Sequence, residues 1–519
     1  MLAAAPLVDK YSSHDWMRPW IPIALAAASY FIYVCAALIV SQNQQNDFIP
    51  ERSSIAAAVS NVAYGAPLGK VYAGVLARFL EMDVPLDKTM EQTARRAVPP
   101  GALLGSTSDG NGIGYIVLAS VGMRLFGLNT SSLVLSMLAL MGISALVFLW
   151  RFRDRRSVVV ILYFTSLTVM LFTPLTWHRD YLLNIGIGGI RYFSLVAIVP
   201  GFHLLLEFAD TPPCNFRLAT TEFVAIAVQV VILVIAILVR NSAAPTIAAV
   251  AVGGWLIAWK RRREAGMMAR TLRKTAYMAT VVAAFVGLLM LSVSRSYLSD
   301  GRFTETLWHR IFLSYGVSPE WPFGNVRELY DCKRYIPEGI VPHSEDRNAH
   351  CIWWDYATKH NIPVDTAVTM TYGREYDKAL REAFFNILRL YPGESLRAFF
   401  YYKPRFIVWS IAQSLDLKLA GVQPALIWLL AAALGNLLVF ALIPLAPASP
   451  NSNTVIGGAT ALFAGFSTLP YIAVWALPHT TGDLLLYCFF GLGLAATAVL
   501  EKLRILLLSP SISEKQRIP

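Results

Sequence analysis

Charge is scarce in this chain. Of 519 residues only 15% are Asp, Glu, Lys or Arg, while 56% are hydrophobic. A soluble domain carries about 25% charged residues, so the deficit excludes a disordered chain and argues strongly against a soluble multi-domain enzyme. Cysteine is scarce as well: five are too few for a disulfide scaffold. The sequence has no G-x-x-x-x-G-K-[ST] phosphate loop, no H-E-x-x-H zinc helix and no G-x-S-x-G nucleophile elbow. The glycines of DGNGIGY, 109–115, follow no strand pattern and make no dinucleotide fingerprint. There is no fixed-period repeat and no residue cluster that indicates a divalent metal, so the cofactor stays unassigned.

What is present is long apolar runs. Candidates for spans of about 20 residues are 19–41, 129–150, 157–174, 189–208, 221–239, 243–259, 275–293, 422–447, 454–476 and 483–500. These predict an all-α polytopic membrane protein of about ten transmembrane helices. The formal net charge of +11 does not signal nucleic acid, because the basic residues cluster between apolar runs, as loops facing anionic headgroups do. Lys10 and Arg18 precede the first run, which reads as a retained helix rather than a cleaved signal.

The charges fix an orientation. RFRDRR, 151–156, follows the second span with four arginines, and KRRREAGMMARTLRK, 260–274, follows the sixth with seven basic residues. Lys502, Arg504, Lys515 and Arg517 follow the tenth, whereas the short connections 240–242 and 477–482 hold one basic residue between them. Ten spans with both termini cytoplasmic satisfy the positive-inside rule throughout. The apolar stretch 113–129 is not counted, since crossing there would carry RFRDRR outside; it is expected as a helix along or dipping into the outer surface.

The expected layout is a cytoplasmic N-terminus 1–18, a membrane domain 19–293 with a first outer loop 42–128, a second outer domain 294–421, C-terminal spans 422–508 and a cytoplasmic tail 509–519. Within the outer segments, 70–80 has helical periodicity, with Val71, Val75 and Leu76 on one face. The stretch from Tyr376 opens a stronger amphipathic helix, in which Ala379, Leu380, Phe384, Ile387 and Leu388 recur at three- and four-residue steps until Pro392-Gly393. AFFYYKPRFIVWS, which follows, has the aromatic and basic composition of an interface belt. Cys332 and Cys351 share the second outer segment, where an oxidising compartment would let them pair; two free thiols are the alternative.

Longest among the predicted cytoplasmic connections is 260–274, which leaves a nucleotide-using site no room on that side. The spans are unusually free of ionisable groups, against the habit of pumps and coupled transporters; His203 and Glu207 fall near a cytoplasmic helix end, where both can reach the interface. Polar chemistry gathers at the outer face. Asp47 and Glu51 follow the first span closely, with Arg52 next; Asp109 precedes the surface helix; His178, Arg179 and Arg191 lie around the outer loop between spans three and four. A carboxylate just above the membrane can serve as general base, and arginines at that depth can hold a lipid phosphate as leaving group. Each has a plainer alternative. Asp47 and Glu51 can solvate a helix end, the arginines can snorkel, His178 can be structural, Asp109 can be a turn residue, and Trp353-Trp354 can anchor an interface rather than stack on a sugar.

In GYIVLASVGMRLFGLNTSSLVLSMLALMGISALVFLWRF, 114–152, a surface helix ending in L-F-G leads through a polar step into a span that closes on arginines. Together with a first span and a long outer loop opening on an acid, this resembles the GT-C membrane glycosyltransferases, chiefly the protein-mannosyltransferase and aminoarabinose-transferase branches. YDKALREAFFNILRLYPGESLRAFFYYKP also resembles the second outer region of bacterial members. The resemblance implies a bacterial inner-membrane enzyme working on the periplasmic side. Its donor would be a polyprenyl-phosphate-linked sugar and its acceptor an envelope glycan, lipid or protein; its other surroundings would be the lipid bilayer, with no nucleic acid. It places Asp47 as base; the polar residues expected at the same face add Glu51 as substitute, Arg52, Arg179 and Arg191 on the lipid phosphate, and Asp109 and His178 at the substrate. The family's paired acidic signature is missing, Glu51 standing four positions after Asp47, and DGNG replaces the prolines that open its surface helix. Other readings are an O-antigen-type polymerase or ligase, and a non-catalytic transporter or scaffold for envelope polysaccharide.

Reporter fusions test the topology. Fusions after Arg156 and Lys274 are expected to report cytoplasm, and fusions near Asp109 and Gly324 the outer side. A cytoplasmic signal at Gly324 would overturn the ten-span arrangement.

Overall fold

A computed structural model describes residues 52–80, 84, 86–97, 101–105, 113–152, 193, 196–209, 220–240, 243–264, 266–293, 295, 307–313, 315, 345–362, 373–408, 459, 461–463 and 465–468. The expected spans 19–41, 157–174, 422–447 and 483–500 lie outside these residues, as do both tails.

Helices dominate. The stretch after the first expected span supplies α1 (Arg52–Tyr64), β1 (Lys70–Tyr72), α2 (Ala73–Leu80), α3 (Leu86–Ala94), β2 (Leu103–Gly105) and α4 (Ile113–Phe126). The apolar helices α5 (Ser131–Phe152), α6 (Ile198–Ala209), α7 (Thr220–Val239), α8 (Ala244–Lys260) and α9 (Met267–Ser292) follow. Three of these, α5, α7 and α9, are long and apolar enough to cross a membrane, at 22, 20 and 26 residues. α8 has 17 residues and α6 only 12. Within the expected span 189–208 the described residues are helical, with 193 and 196–197 in 3₁₀ conformation leading into α6; Pro200, which lacks an N–H, stands in the first turn of α6, where none is needed.

Local chemistry sets the break between α4 and α5. Gly127 takes a left-handed φ of 96° and ends α4. Asn129 then caps α5: its Oδ1 accepts the Ser132 N–H at 2.9 Å, and its carbonyl accepts the Ser132 hydroxyl at 2.6 Å. α4 folds back on α5, with Gly122 against the Ser132–Ser136 turn where a Cβ would collide. It is the expected helix over 113–129, at 14 residues too short to cross, yet it is no loose surface element. Tyr115, Ile116, Ala119 and Met123 are buried among α1, α5 and α7.

The stretch 70–80 departs from its helical pattern. Lys70–Tyr72 pairs antiparallel with Leu103–Gly105, so the helix starts only at Ala73. Gly69, at φ 86°, turns the chain into that strand. Val71 is buried from the strand, while the helix buries Val75 and Phe79 and leaves Leu76 partly covered.

A separate core is built by α10 (Leu307–Leu313), α11 (Glu345–Lys359) and α12 (Gly373–Leu390), within the segment 294–421 that is expected outside. The amphipathic pattern read from the sequence holds here: Ala379, Leu380 and Ile387 are buried and Phe384 packs at the edge. Pro392 stops α12 and opens α13 (Pro392–Arg397), which passes through a π-helical turn, Ala398–Tyr402, into a helical run over 403–408. Trp353 is neither an interface anchor nor an open sugar platform. It is 1% exposed, against Tyr356 and Tyr376. Asp377 accepts the backbone N–H of Trp308 at 2.8 Å, tying α12 to the start of α10. Cys351 is disulfide-bonded and buried, and Cys332 lies outside the described residues.

Lys403 is fully buried, and desolvation lowers its amine to about 7. Between that value and its ordinary 10.5 the unfolded chain binds a proton that the folded chain does not, so stability rises with pH across this window and is lost as pH falls through it. Unfolding followed by circular dichroism in detergent is expected to show this rise, and Lys403→Met to abolish it.

Candidate functional site

Of the residues expected to carry chemistry, the structure describes Arg52. Asp47, Glu51, Asp109, His178, Arg179 and Arg191 lie outside the described residues, so the expected cavity bounded by Asp47, Glu51, Arg179 and Arg191 is not observed.

Arg52 begins α1 and is only 2% exposed. Its NH1 donates to the carbonyl of Phe79, at the end of α2, at 3.3 Å. Burial lowers its pKa, although a guanidinium stays charged. The sequence reading offered this side chain to a lipid phosphate; the structure turns one of its donors into the protein. A positive charge is thereby held within the fold one residue after Glu51 and five after Asp47.

The layer around Arg52 is cross-tied. Asn61 on α1 donates to the Ala66 carbonyl at 2.7 Å and accepts from Arg124 on α4 at 3.0 Å. The Tyr64 hydroxyl donates to the Thr93 carbonyl at 2.8 Å, and the Tyr72 N–H to the Ser60 hydroxyl at 3.3 Å. Two contacts seat the layer on the helices below. Gly114 of α4 lies against the Leu238 backbone at the end of α7, closer than any Cβ permits, and Leu68 bridges to Val293 just past α9. The layer therefore covers the ends of α7 and α9 that the positive-inside reading places outside.

At the opposite ends of these helices lies a buried ion cluster. Glu207 of α6 accepts from Arg151 of α5 at 2.6 Å and pairs with Lys274 of α9 at 3.4 Å. Lys274 also pairs with Glu222 of α7 at 2.6 Å, and Glu222 with Arg270 at 3.1 Å. His203 packs in a three-ring cluster with Phe148 and Phe152, its Nε2 3.6 Å from Glu207. Gln229 continues the chain from His203 to Ser144, whose hydroxyl donates to it at 2.7 Å. The same end is closed by Arg261, which donates to the Ala209 carbonyl at 2.7 Å and pairs with Glu264.

This cluster corrects the reading of His203 and Glu207 as side chains that reach the interface: both are 0% exposed. Each member looks from the sequence like an ordinary charge at a span end, and the partners stand 48 to 67 positions apart. The one available signal was Glu222, an acid opening an apolar helix on the basic side of the membrane. Among the described residues no group of three His, Cys, Asp or Glu could hold a metal.

No protein-family model and no curated protein matches this sequence. Among solved structures, the crystal structure of ArnT from Cupriavidus metallidurans bound to undecaprenyl phosphate aligns with a TM-score of 0.31 and 13% identity, covering 98% of this chain and 82% of that one. The apo form of the same protein aligns with a TM-score of 0.30 and 12% identity, covering 94% and 78%. Scores at this level fall short of a shared fold.

Removing one partner from a buried charge cluster strands the others, at about 3–5 kcal/mol. Glu207→Gln is expected to destabilise the protein by that order in detergent, read as thermal loss of helicity, because Arg151 and Lys274 then face each other across one carboxylate fewer. The double substitution Glu207→Leu/Lys274→Met is expected to recover most of the loss.

Proposed function

We propose that the chain is a membrane glycosyltransferase of the GT-C type, transferring a sugar from a polyprenyl-phosphate donor to an envelope glycan, lipid or protein acceptor on the outer face of a bacterial inner membrane. One observation carries this reading: the two ends of the helical bundle are built for different purposes. One end is occupied by a buried ion cluster and crossed by the tight connection around Arg261. The other supports a folded layer that buries Arg52 beside the segment containing Asp47 and Glu51. The sequence resemblance over 114–152 points the same way, and that stretch forms the α4–turn–α5 unit on which the layer rests.

The proposed chemistry follows from the residue types. Asp47, with Glu51 as substitute, takes the proton from the acceptor nucleophile as that atom attacks the anomeric carbon. The bond from this carbon to the phosphate oxygen breaks, and its electron pair leaves with the lipid phosphate, whose charge Arg52, Arg179 and Arg191 stabilise. Inversion results from the single displacement. Asp109 and His178 would contact donor or acceptor.

Asp47→Asn is expected to lower turnover about 10²–10⁴-fold, the usual weight of a general base, with unchanged helicity and membrane insertion. Sugar transfer onto envelope acceptors in vesicles carrying polyprenyl-phosphate donors reads this directly. Full activity in both Asp47→Asn and Glu51→Gln would overturn the assignment, and cargo movement independent of both would favour a transporter.

A further inference from the structure

The helical run 392–408 is inside out for a segment in water. Its exposed side carries Leu396, Phe400, Tyr401 and Val408, at 55%, 71%, 51% and 68% exposure. Its covered side holds Ser395, Ala398, Lys403 and Ile407, with Lys403 wholly buried. Leaving these large apolar side chains in water is unfavourable. The π-helical turn Ala398–Tyr402 contributes to this arrangement. It takes one more residue than an α-turn, and so swings the following residues around the axis; Lys403 is the first of them.

We propose that this exposed side lies in the outer leaflet of the bilayer, with Phe400, Tyr401 and Val408 among the upper acyl chains and Arg397 and Arg405 at anionic headgroup phosphates. An apolar medium removes the cost of the exposed face, and aromatic side chains suit the depth where hydrocarbon meets headgroups. Arg397 and Arg405 are exposed on the same side, eight positions apart, about 12 Å along a helix. Arg405 lies over the Tyr401 ring at 5.2 Å and donates to its hydroxyl at 2.8 Å, which holds cation and phenol at one level. Glu394, near the start, is the only acidic residue of the run. The length, about 25 Å, with the basic residues spread along it, fits a helix lying in the interface. Fourteen positions later in the sequence begins the apolar stretch 422–447, an expected membrane span. A second copy of the chain would also cover an apolar face, but two exposed arginines meeting their own symmetry mates disfavour it.

The inference rests on the membrane-spanning reading and not on sugar transfer. Its test uses the full chain in nanodiscs of phosphatidylethanolamine and phosphatidylglycerol, with p-benzoylphenylalanine replacing Phe400, Val408 or, as an aqueous control on α12, Lys378. Intact mass after irradiation is expected to show lipid adducts at 400 and 408 several-fold above 378. Exchanging phosphatidylglycerol for phosphatidylcholine is expected to lower the yield, and Arg397→Gln/Arg405→Gln to remove that difference. Crosslinks between two copies, crosslinks within the chain, or adducts no more abundant than at 378 would overturn the placement. Insensitivity to headgroup charge would overturn the roles of Arg397 and Arg405. Loss of transfer in Asp47→Asn leaves these outcomes unchanged, so the two readings fail separately.

Discussion

Glu207 and Glu222 are the carboxylates around which the described membrane helices are arranged. Bringing a carboxylate into a low-dielectric interior is costly unless cations and donors meet it there. Arg151, Lys274 and Arg270 reach them from α5 and α9, and this demand sets which helix ends lie together. α9 shows the dependence most clearly. Its buried residues are Met267, Arg270, Lys274 and Leu289, so its first turns are held by ion pairs, while Tyr277, Met278, Val281, Val282, Phe285 and Val286 pack one partly covered face on the core. A buried cluster of this kind contributes little net stability when intact, yet excludes other arrangements, because any shift strands a charge.

The layer around Arg52 is organised by different physics. There, backbone approach and hydrogen bonds between side chains and carbonyls replace ion pairs. Gly114 lets α4 close on the end of α7, Gly122 lets it close on α5, and Asn61 ties α1 to α4 through Arg124. Glycine at these contacts costs backbone entropy and is justified by the contact distance. The layer is consequently a fixed platform. Arg52 is positioned from it by the start of α1 and the carbonyl of Phe79, so the charge nearest Asp47 and Glu51 in sequence is set by protein structure rather than by headgroups.

The helices α10, α11 and α12 surround an aromatic core of their own, with Tyr315, Trp353, Tyr376 and Phe384. Asp377 and the Tyr376 hydroxyl, which lies 2.8 Å from His309, fasten α12 to α10. Burial raises Tyr315 to about 12 and Asp377 above its ordinary value, both signs of a dry interior. From this core the chain emerges along 392–408 with its apolar side outward, as a segment approaching a bilayer would.

Composition and periodicity by themselves determined the class and much of the element plan. Apolar runs fixed α5, α7, α8 and α9 to within a few residues, apart from a basic extension at the start of α9, because a span must satisfy its own backbone and its length follows from the bilayer. The amphipathic step of α12 and its stop at Pro392 were equally legible, since both are local. Nonlocal contacts were not. The strand over 70–72 exists only because 103–105 comes to meet it, so a helical period misread it. Trp353 was ambiguous until its neighbours were in place. Of the candidate site, the sequence supplied the residue types, while the buried position of Arg52 came from tertiary contacts. The ion cluster was decided by tertiary structure alone. A charge at a helix end carries no mark of whether it faces water, headgroup or partner; only the packing of α5, α6, α7 and α9 brought Arg151, Glu207, Glu222 and Lys274 into one dry volume, where they had to pair.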